Sequence, residues 1–233
     1  MRIEQPVLAG CFVRRYKRFF AEVELEDGTL ITAHCPNTGS LAGCLASGSR
    51  AILRDSQDER RKLRYVFQAI QVGRTLVNVD TSLPNRVVQE AVEAGAIPEL
   101  AGYDELRREV AYGESSRIDL LLSRRRSRRL CYVEVKNTTL AQGHTAQFPD
   151  AVTERGRKHL FELAGMVAGG HRAVQLFFVS RSDVRRFAPA DAIDPAYAAA
   201  LRAAARAGVE VLAYSARVRP DSLAIHRRLP VDL

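Results

Sequence analysis

Arg117-Ile118-Asp119-Leu120-Leu121-Leu122 and, a short way downstream, Tyr132-Val133-Glu134-Val135-Lys136 are the stretches on which the fold turns. Both are apolar enough to be buried strands, yet each carries charge. Burying Asp119 among leucines is costly unless something offsets its charge. Glu134 and Lys136 stand two residues apart, so in a strand they share one face, while Val133 and Val135 enter a core on the other. If the two strands pair as a hairpin, Asp119 and Glu134 become neighbours. Two converging carboxylates make a hard, oxygen-only site suited to Mg2+ or Mn2+ rather than zinc. A cation there can bind a phosphate oxygen, stabilise developing charge and lower the pKa of a water. Lys136 would orient that water or neutralise the transition state.

Around this pair the periodicity predicts an α/β domain with a mixed sheet. A helix opens at Pro84 with Val87, Val88, Ala91 and Val92 as its apolar stripe. Extended runs follow at Leu106–Tyr112, Arg117–Ser123 and Leu130–Val135, then a helix from about Ala151 to Val167. Ala173–Val179 is a strongly apolar strand, Asp194–Ala207 a helix ended by Gly208, and Val209–Tyr214 and Leu223–His226 are closing strands. His159 falls on the apolar side of its helix and reads as a packed residue. Arg124-Arg125-Arg126-Ser127-Arg128-Arg129 reads as a solvated hairpin tip, although five arginines in six residues could also hold phosphates.

The first eighty residues alternate with period two through Phe12–Phe20, Glu22–Leu25, Leu30–His34, Arg50–Leu53, Tyr65–Val72 and Thr75–Val79. Short strands separated by Asp27-Gly28 and Gly73-Arg74 suggest a small barrel, with an OB-like barrel one candidate. On the first run, Arg14, Arg15, Lys17 and Arg18 alternate with Phe12, Tyr16, Phe19 and Phe20. Cations for phosphates beside aromatics for stacking suit a single-strand-binding face, and equally a half-buried strand whose aromatics fill the core.

The whole chain of 233 residues is 46% hydrophobic and 27% charged, ordinary for a folded globular protein. The net charge of +8 suits a polyanionic partner. Among 35 basic residues only Lys17, Lys62, Lys136 and Lys158 are lysines, so a retained lysine marks a place where a compact ammonium is wanted. Cys11, Cys35, Cys44 and Cys131 follow no CxxC spacing and read as buried free thiols. No apolar run is long enough to span a bilayer and the first residues carry no secretory h-region, so a cytoplasmic protein is expected.

Asp119 followed by Glu134-Val135-Lys136 resembles the PD-(D/E)xK nuclease superfamily, with Ile118 where that pattern often has proline. A more specific resemblance runs along nearly the whole chain. Cys11-Phe12-Val13 with Lys17-Arg18-Phe19, His34-Cys35-Pro36-Asn37-Thr38-Gly39-Ser40 and Leu83-Pro84-Asn85-Arg86 are similar to motifs of the sugar fermentation stimulation protein A (SfsA) family. So are Arg117-Ile118-Asp119, Glu134-Val135-Lys136-Asn137 and Phe148-Pro149-Asp150-Ala151-Val152-Thr153-Glu154-Arg155-Gly156 with Lys158-His159-Leu160. The resemblance implies an OB-like nucleic-acid-binding barrel (1–80) joined to a PD-(D/E)xK nuclease-like domain (81–233), α+β overall. It also implies DNA binding with little sequence preference and, by the family's name, a tie to sugar metabolism.

On this reading Asp119 and Glu134 bind Mg2+ or Mn2+ and Lys136 activates water. Glu90, at the place where the superfamily often carries a further acid, assists as a third ligand, with Glu93 the competing choice. Glu109 is assigned to the surface of an edge strand. Arg155 and Lys158, which share a helical face with Glu162, join Arg14, Arg15, Lys17 and Arg18 as contacts to nucleic acid. The expected activity is a metal-dependent phosphodiesterase acting on DNA or RNA. The alternative is a non-enzymatic DNA-binding regulator built on a nuclease scaffold.

Overall fold

Alternating apolar residues build six strands in the first part of the chain: β1 (Val7–Tyr16), β2 (Phe20–Glu24), β3 (Leu30–His34), β4 (Arg50–Asp55), β5 (Tyr65–Val72) and β6 (Thr75–Asn78). The computed structural model describes residues 1–113 and 115–233. The strands lie in the order β3-β2-β1-β4-β5-β6, and a parallel bridge between His34 of β3 and Val66 of β5 closes the first five into a barrel. That is OB-fold connectivity. Phe12, Val23, Leu53, Phe67 and Ile70 fill the interior, with Phe12 and Phe67 stacked at 5.6 Å.

The run Phe12–Phe20 is not one strand. It turns back at Lys17 and Arg18, whose φ angles are 48° and 62°, and the Tyr16 and Phe20 rings stack across the hairpin at 5.2 Å. Left-handed residues match the twist of a tight hairpin, but the usual Gly or Asn signal is absent here. Lys17, Arg18 and Phe19 therefore form an exposed tip instead of a strand face.

The remainder forms α1 (Pro84–Glu93), β7 (Glu105–Tyr112), β8 (Ser116–Ser123), β9 (Cys131–Thr138), β10 (Ala141–Gln142), β11 (Thr145–Phe148) and α2 (Glu154–Ala168). After these come β12 (Arg172–Val179), β13 (Arg186–Pro189), α3 (Pro195–Arg206), β14 (Glu210–Arg219) and β15 (Ser222–Arg228). A mixed sheet runs β15-β14-β12-β9-β8-β7, parallel only where β12 joins β9 and β14. The fold is α+β and mostly sheet. Val87 and Val88 of α1 cover Val133, Val135 and Leu176 on one face. Leu160 and Leu163 of α2, with Tyr197 and Leu201 of α3, cover Phe177 and Val179 on the other. Thr153 and Asp194 cap α2 and α3 by accepting the Gly156 and Tyr197 N–H groups. The small sheet β10-β11-β13 was not foreseen, because strands of two to four residues carry no readable period.

The two halves are tied together more closely than a division at residue 80 implies. Arg2 bridges to Ser222, the Ile3 N–H donates to Asp221 O at 2.8 Å, and Ile3 enters the α1-side core. The chain thus starts on the second domain, builds the barrel and returns. A second tie is the turn at Asn37-Thr38-Gly39, in which Asn37 Oδ1 accepts the Gly39 N–H. Beyond it, Ser40 Oγ donates to Asp150 O at 2.9 Å and the Leu41 N–H donates to Asp150 Oδ2 at 3.1 Å. A Cβ on Gly39 would stand 2.8 Å from Asp150 Oδ2, so a larger residue there would have to displace the carboxylate from its hydrogen bonds to Ser40 and Leu41. Cys35, Cys44 and Cys131 are buried free thiols as expected, whereas Cys11 is exposed. Among the described residues no helix is long and apolar enough to cross a membrane.

Candidate functional site

β8 and β9 pair through Leu122↔Cys131, Leu121↔Tyr132 and Leu120↔Val133. The next rung would set Asp119 against Glu134, and the ladder stops short of it. The Val135 N–H donates to Asp119 Oδ2 at 2.7 Å instead, and Asn85 Nδ2 of α1 donates to Oδ1 at 2.7 Å. The strands part and the half-buried carboxylate fills the gap, taking two donors in place of water. On the other side, β7 and β8 pair at Arg108↔Leu120 and Val110↔Ile118 but not at Glu109, whose φ is 52°. Ile118 and Leu120, two residues apart, consequently lie in opposite cores.

Glu134 is 3% exposed. Its Oε1 accepts from Lys136 Nζ at 2.6 Å and from His159 Nδ1 of α2, while Oε2 is buried with no partner among the described residues. Arg155 Nε donates to His159 Nε2 at 3.4 Å, which leaves Nδ1 to carry the proton toward Glu134. Burial opposes the charge on Glu134, but the His159 hydrogen bond and the Lys136 ammonium outweigh it and hold the carboxyl below its ordinary range. Asp119 behaves oppositely: burial, then the charge of Glu134, push it up to about 6, against smaller opposing effects of Val135, Lys136 and Asn85. The two acids thus differ in their readiness to ionise, as paired carboxylates at reactive sites do.

Glu109, Arg117, Asp119, Glu134, Arg155 and Lys158 surround a cleft of about 430 Å³, with His159 in its wall. Lys158 Nζ donates to Ser115 Oγ at 2.6 Å. The donors suit a hard divalent cation: they are carboxylate oxygens, one is buried without a partner, and an ion would relieve the repulsion that raises Asp119. They form a pair, because no group of three His, Cys, Asp or Glu disposed to hold an ion occurs among the described residues.

Asp119, Glu134, Lys136, Arg155 and Lys158 therefore meet where the sequence places them. Glu90 does not join them. Its Oε2 lies 3.0 Å from the Met1 amino group, in a separate cleft lined by Arg54 and Arg86. Asn85 and Glu90 are about 140° apart around α1, so the helix that presents Asn85 to Asp119 carries Glu90 elsewhere. Glu93 bonds Gln89 on the surface, and Glu109, assigned to the surface of an edge strand, is exposed there but lines the cleft. His159 is buried as expected, but against Glu134 instead of apolar neighbours alone. Its place in Lys158-His159-Leu160 was the only signal.

The barrel cations divide. Arg14 is paired with Glu22 at 2.6 Å, and Arg15 is used internally, donating to the carbonyls of Arg18, Asn37 and Gly39. Neither guanidinium stands free for a phosphate. Lys17 and Arg18 remain exposed on the β1–β2 tip beside Phe19, which is 48% exposed.

Comparison with known proteins agrees with this architecture. The SfsA N-terminal OB domain matches residues 13–79, and the sugar fermentation stimulation protein RE domain matches residues 82–222. Sugar fermentation stimulation protein homologs from Geobacter sp. (strain M21) and Maricaulis maris (strain MCS10) are 52% and 51% identical over 233 and 234 residues, covering all of this chain and 100% and 99% of theirs. The solved structure of Pyrococcus furiosus SfsA in complex with Ca2+ superposes with a TM-score of 0.89 at 28% identity, covering 100% of both chains. Matched in both halves and more than half identical to relatives along its full length, the chain belongs to the sugar fermentation stimulation protein family.

Proposed function

We propose that the chain is a divalent-cation-dependent nuclease that hydrolyses phosphodiester bonds of DNA or RNA with little sequence preference. The observation that carries this reading is the parting of β8 and β9 at Asp119, which brings two carboxylates to one cleft otherwise ringed by Arg117, Arg155 and Lys158. Acids facing a polyanion repel it unless a cation intervenes, and a pure binder has no use for them. Asp119 and Glu134 would hold the ion, Mg2+ or Mn2+ by donor chemistry. The Ca2+ in the Pyrococcus furiosus relative supports a divalent ion here too. When bound, the ion supplies charge for the phosphate and lowers the pKa of a water. Lys136 is placed to neutralise charge or hold a proton beside Glu134, His159 fixes the Glu134 carboxylate, and Arg155 and Lys158 hold phosphate oxygens. The tip of Lys17, Arg18 and Phe19 provides a contact for the strand on the barrel side.

A second reading has its own support. Lys136 is engaged by Glu134 at 2.6 Å and so is not free to act on a water in this arrangement, as a DNA-binding protein without chemistry would tolerate. Fold alone does not decide between the two. The test incubates end-labelled single- and double-stranded DNA and RNA with Mg2+, Mn2+ or EDTA, using the unmodified protein, Asp119→Ala and Lys136→Ala, with binding measured on the same samples. Cleavage that requires metal and falls at least about a hundredfold in both variants while binding persists is the expected result. Tight binding without cleavage under any metal establishes the regulator instead.

A further inference from the structure

The hairpin tip between β8 and β9 carries Arg124, Arg125, Arg126, Arg128 and Arg129, all exposed. Among the described residues none of these guanidiniums has a carboxylate within ion-pair distance. Elsewhere Arg14, Arg54, Arg64, Arg172, Arg181 and Arg202 each hold an acid at 2.5–2.7 Å, whereas here five consecutive or near-consecutive arginines share one turn with none among the described residues. Two acids that the β7–β8 pairing brings beside the base of the tip are otherwise engaged: Asp104 accepts the backbone N–H of Arg125, and Glu105 accepts Ser123 Oγ. Arg124 lies 4.9 Å from the Tyr103 ring centroid, which orients one guanidinium without neutralising it. Five uncompensated like charges on one turn repel each other, and a polyanion relieves that repulsion.

The tip also stands at a defined distance from the cleft. Asp119 on β8 and Glu134 on β9 are each five residues from the nearest tip arginine, Arg124 and Arg129, which at about 3.4 Å per residue is about 17 Å. Arg107 of β7, opposite Leu121, lies between them, and its contact with Glu105 is a loose 3.9 Å between exposed groups. A cation track therefore leads from Arg117 and Lys158 in the cleft, past Arg107, to the tip. Seventeen ångströms is about five nucleotides of one strand in a duplex.

We propose that this arginine tip is a second contact to the nucleic-acid backbone, holding phosphates about five nucleotides from the segment bound at Asp119 and Glu134 and making the protein selective for polymers over short oligonucleotides. The inference rests on the nucleic-acid reading of the cleft, but not on cleavage. The test compares the full chain with a variant in which all five arginines are glutamine and another in which all five are lysine. Binding to DNA of 4 and 20 nucleotides, single- and double-stranded, is titrated from 50 to 200 mM salt at a fixed concentration of Ca2+, so that the cleft acids are neutralised.

For the 20-nucleotide duplex, three lost contacts would flatten the salt dependence by about 2.7 in log–log slope, about 40-fold in affinity across that range, and for the single strand by about 2.1, about 18-fold. The lysine variant should retain most of the slope, and binding of the 4-nucleotide DNA should not change. Equal affinity and slope for the unmodified and glutamine proteins would overturn the proposal, as would failure of the unmodified protein to bind any 20-nucleotide DNA. Loss of binding in the glutamine variant of a protein that never cleaves would leave the tip standing and remove only the nuclease.

Discussion

Replacing Asp119 by asparagine should make the protein more stable at pH 8, and the size of the effect follows from the parted strands. Asp119 is shifted from 3.8 to about 6 because it is largely withdrawn from water and faces the charge of Glu134. The native state therefore binds a proton that the unfolded chain has already released between about pH 4 and 6. Stability from this group is highest below pH 4 and falls as the pH rises to 6. The difference between the two values corresponds to about 3 kcal/mol of destabilisation above pH 6.

Asparagine removes the charge while its Oδ1 still accepts from the Val135 N–H, and Asn85 can turn its amide to accept from the new Nδ2. The expected gain in EDTA is about 2–3 kcal/mol at pH 8, vanishing near pH 4. Urea denaturation followed by far-UV circular dichroism reads it directly. Added Mg2+ should then stabilise the unmodified protein at pH 8 and not the variant, because only the former gains by binding an ion in the native state. A variant no more stable than the unmodified protein at pH 8, or an advantage equal at pH 4.5, would refute this account of the site.

Asp150→Ala removes the carboxylate that accepts from the Leu41 N–H and shares the Ser40 hydroxyl, while the bond from Ser40 Oγ to the main-chain carbonyl of residue 150 survives; a loss of about 1–3 kcal/mol and earlier proteolysis within the 35–44 loop are expected, and an unchanged melting temperature would show that the carboxylate tie is dispensable. Arg15→Ala should cost about 2 kcal/mol in thermal or urea unfolding, because its guanidinium binds the backbone carbonyls of Arg18, Asn37 and Gly39 and, at 3.5 Å, that of Ser40. Lys17→Ala and Arg18→Ala, on the exposed tip, should leave stability within about 0.5 kcal/mol and weaken DNA binding with a shallower salt dependence. If Arg15 and Lys17 exchanged these behaviours in the two assays, the division of the barrel cations would be wrong.

Much of the centre of the molecule was legible without coordinates. Two apolar runs joined by a short polar turn read as a hairpin in which the period of two sets the faces, so the pairing of β8 with β9 and the approach of Asp119 to Glu134 follow from local pattern. The valines at 133 and 135 point into the α1-side core for the same reason. The barrel strands were readable as well, since period two survives wherever one face is buried. The break at Lys17 and Arg18 was not, because left-handed residues other than glycine or asparagine leave no mark in composition.

What the linear order determined is therefore the set of groups that must be compensated: the carboxylates at 119 and 134, the lysine at 136 and the apolar faces that flank them. What only the tertiary structure decided is which distant group compensates each. Asn85 rather than Glu90 reaches Asp119, His159 rather than a third acid reaches Glu134, and Asp150 receives the turn at Asn37-Thr38-Gly39. The rotation of a helix about its axis, and the edge on which a loop lands, are set by how whole faces pack. A shift of one residue in either changes the partner while leaving the local pattern intact.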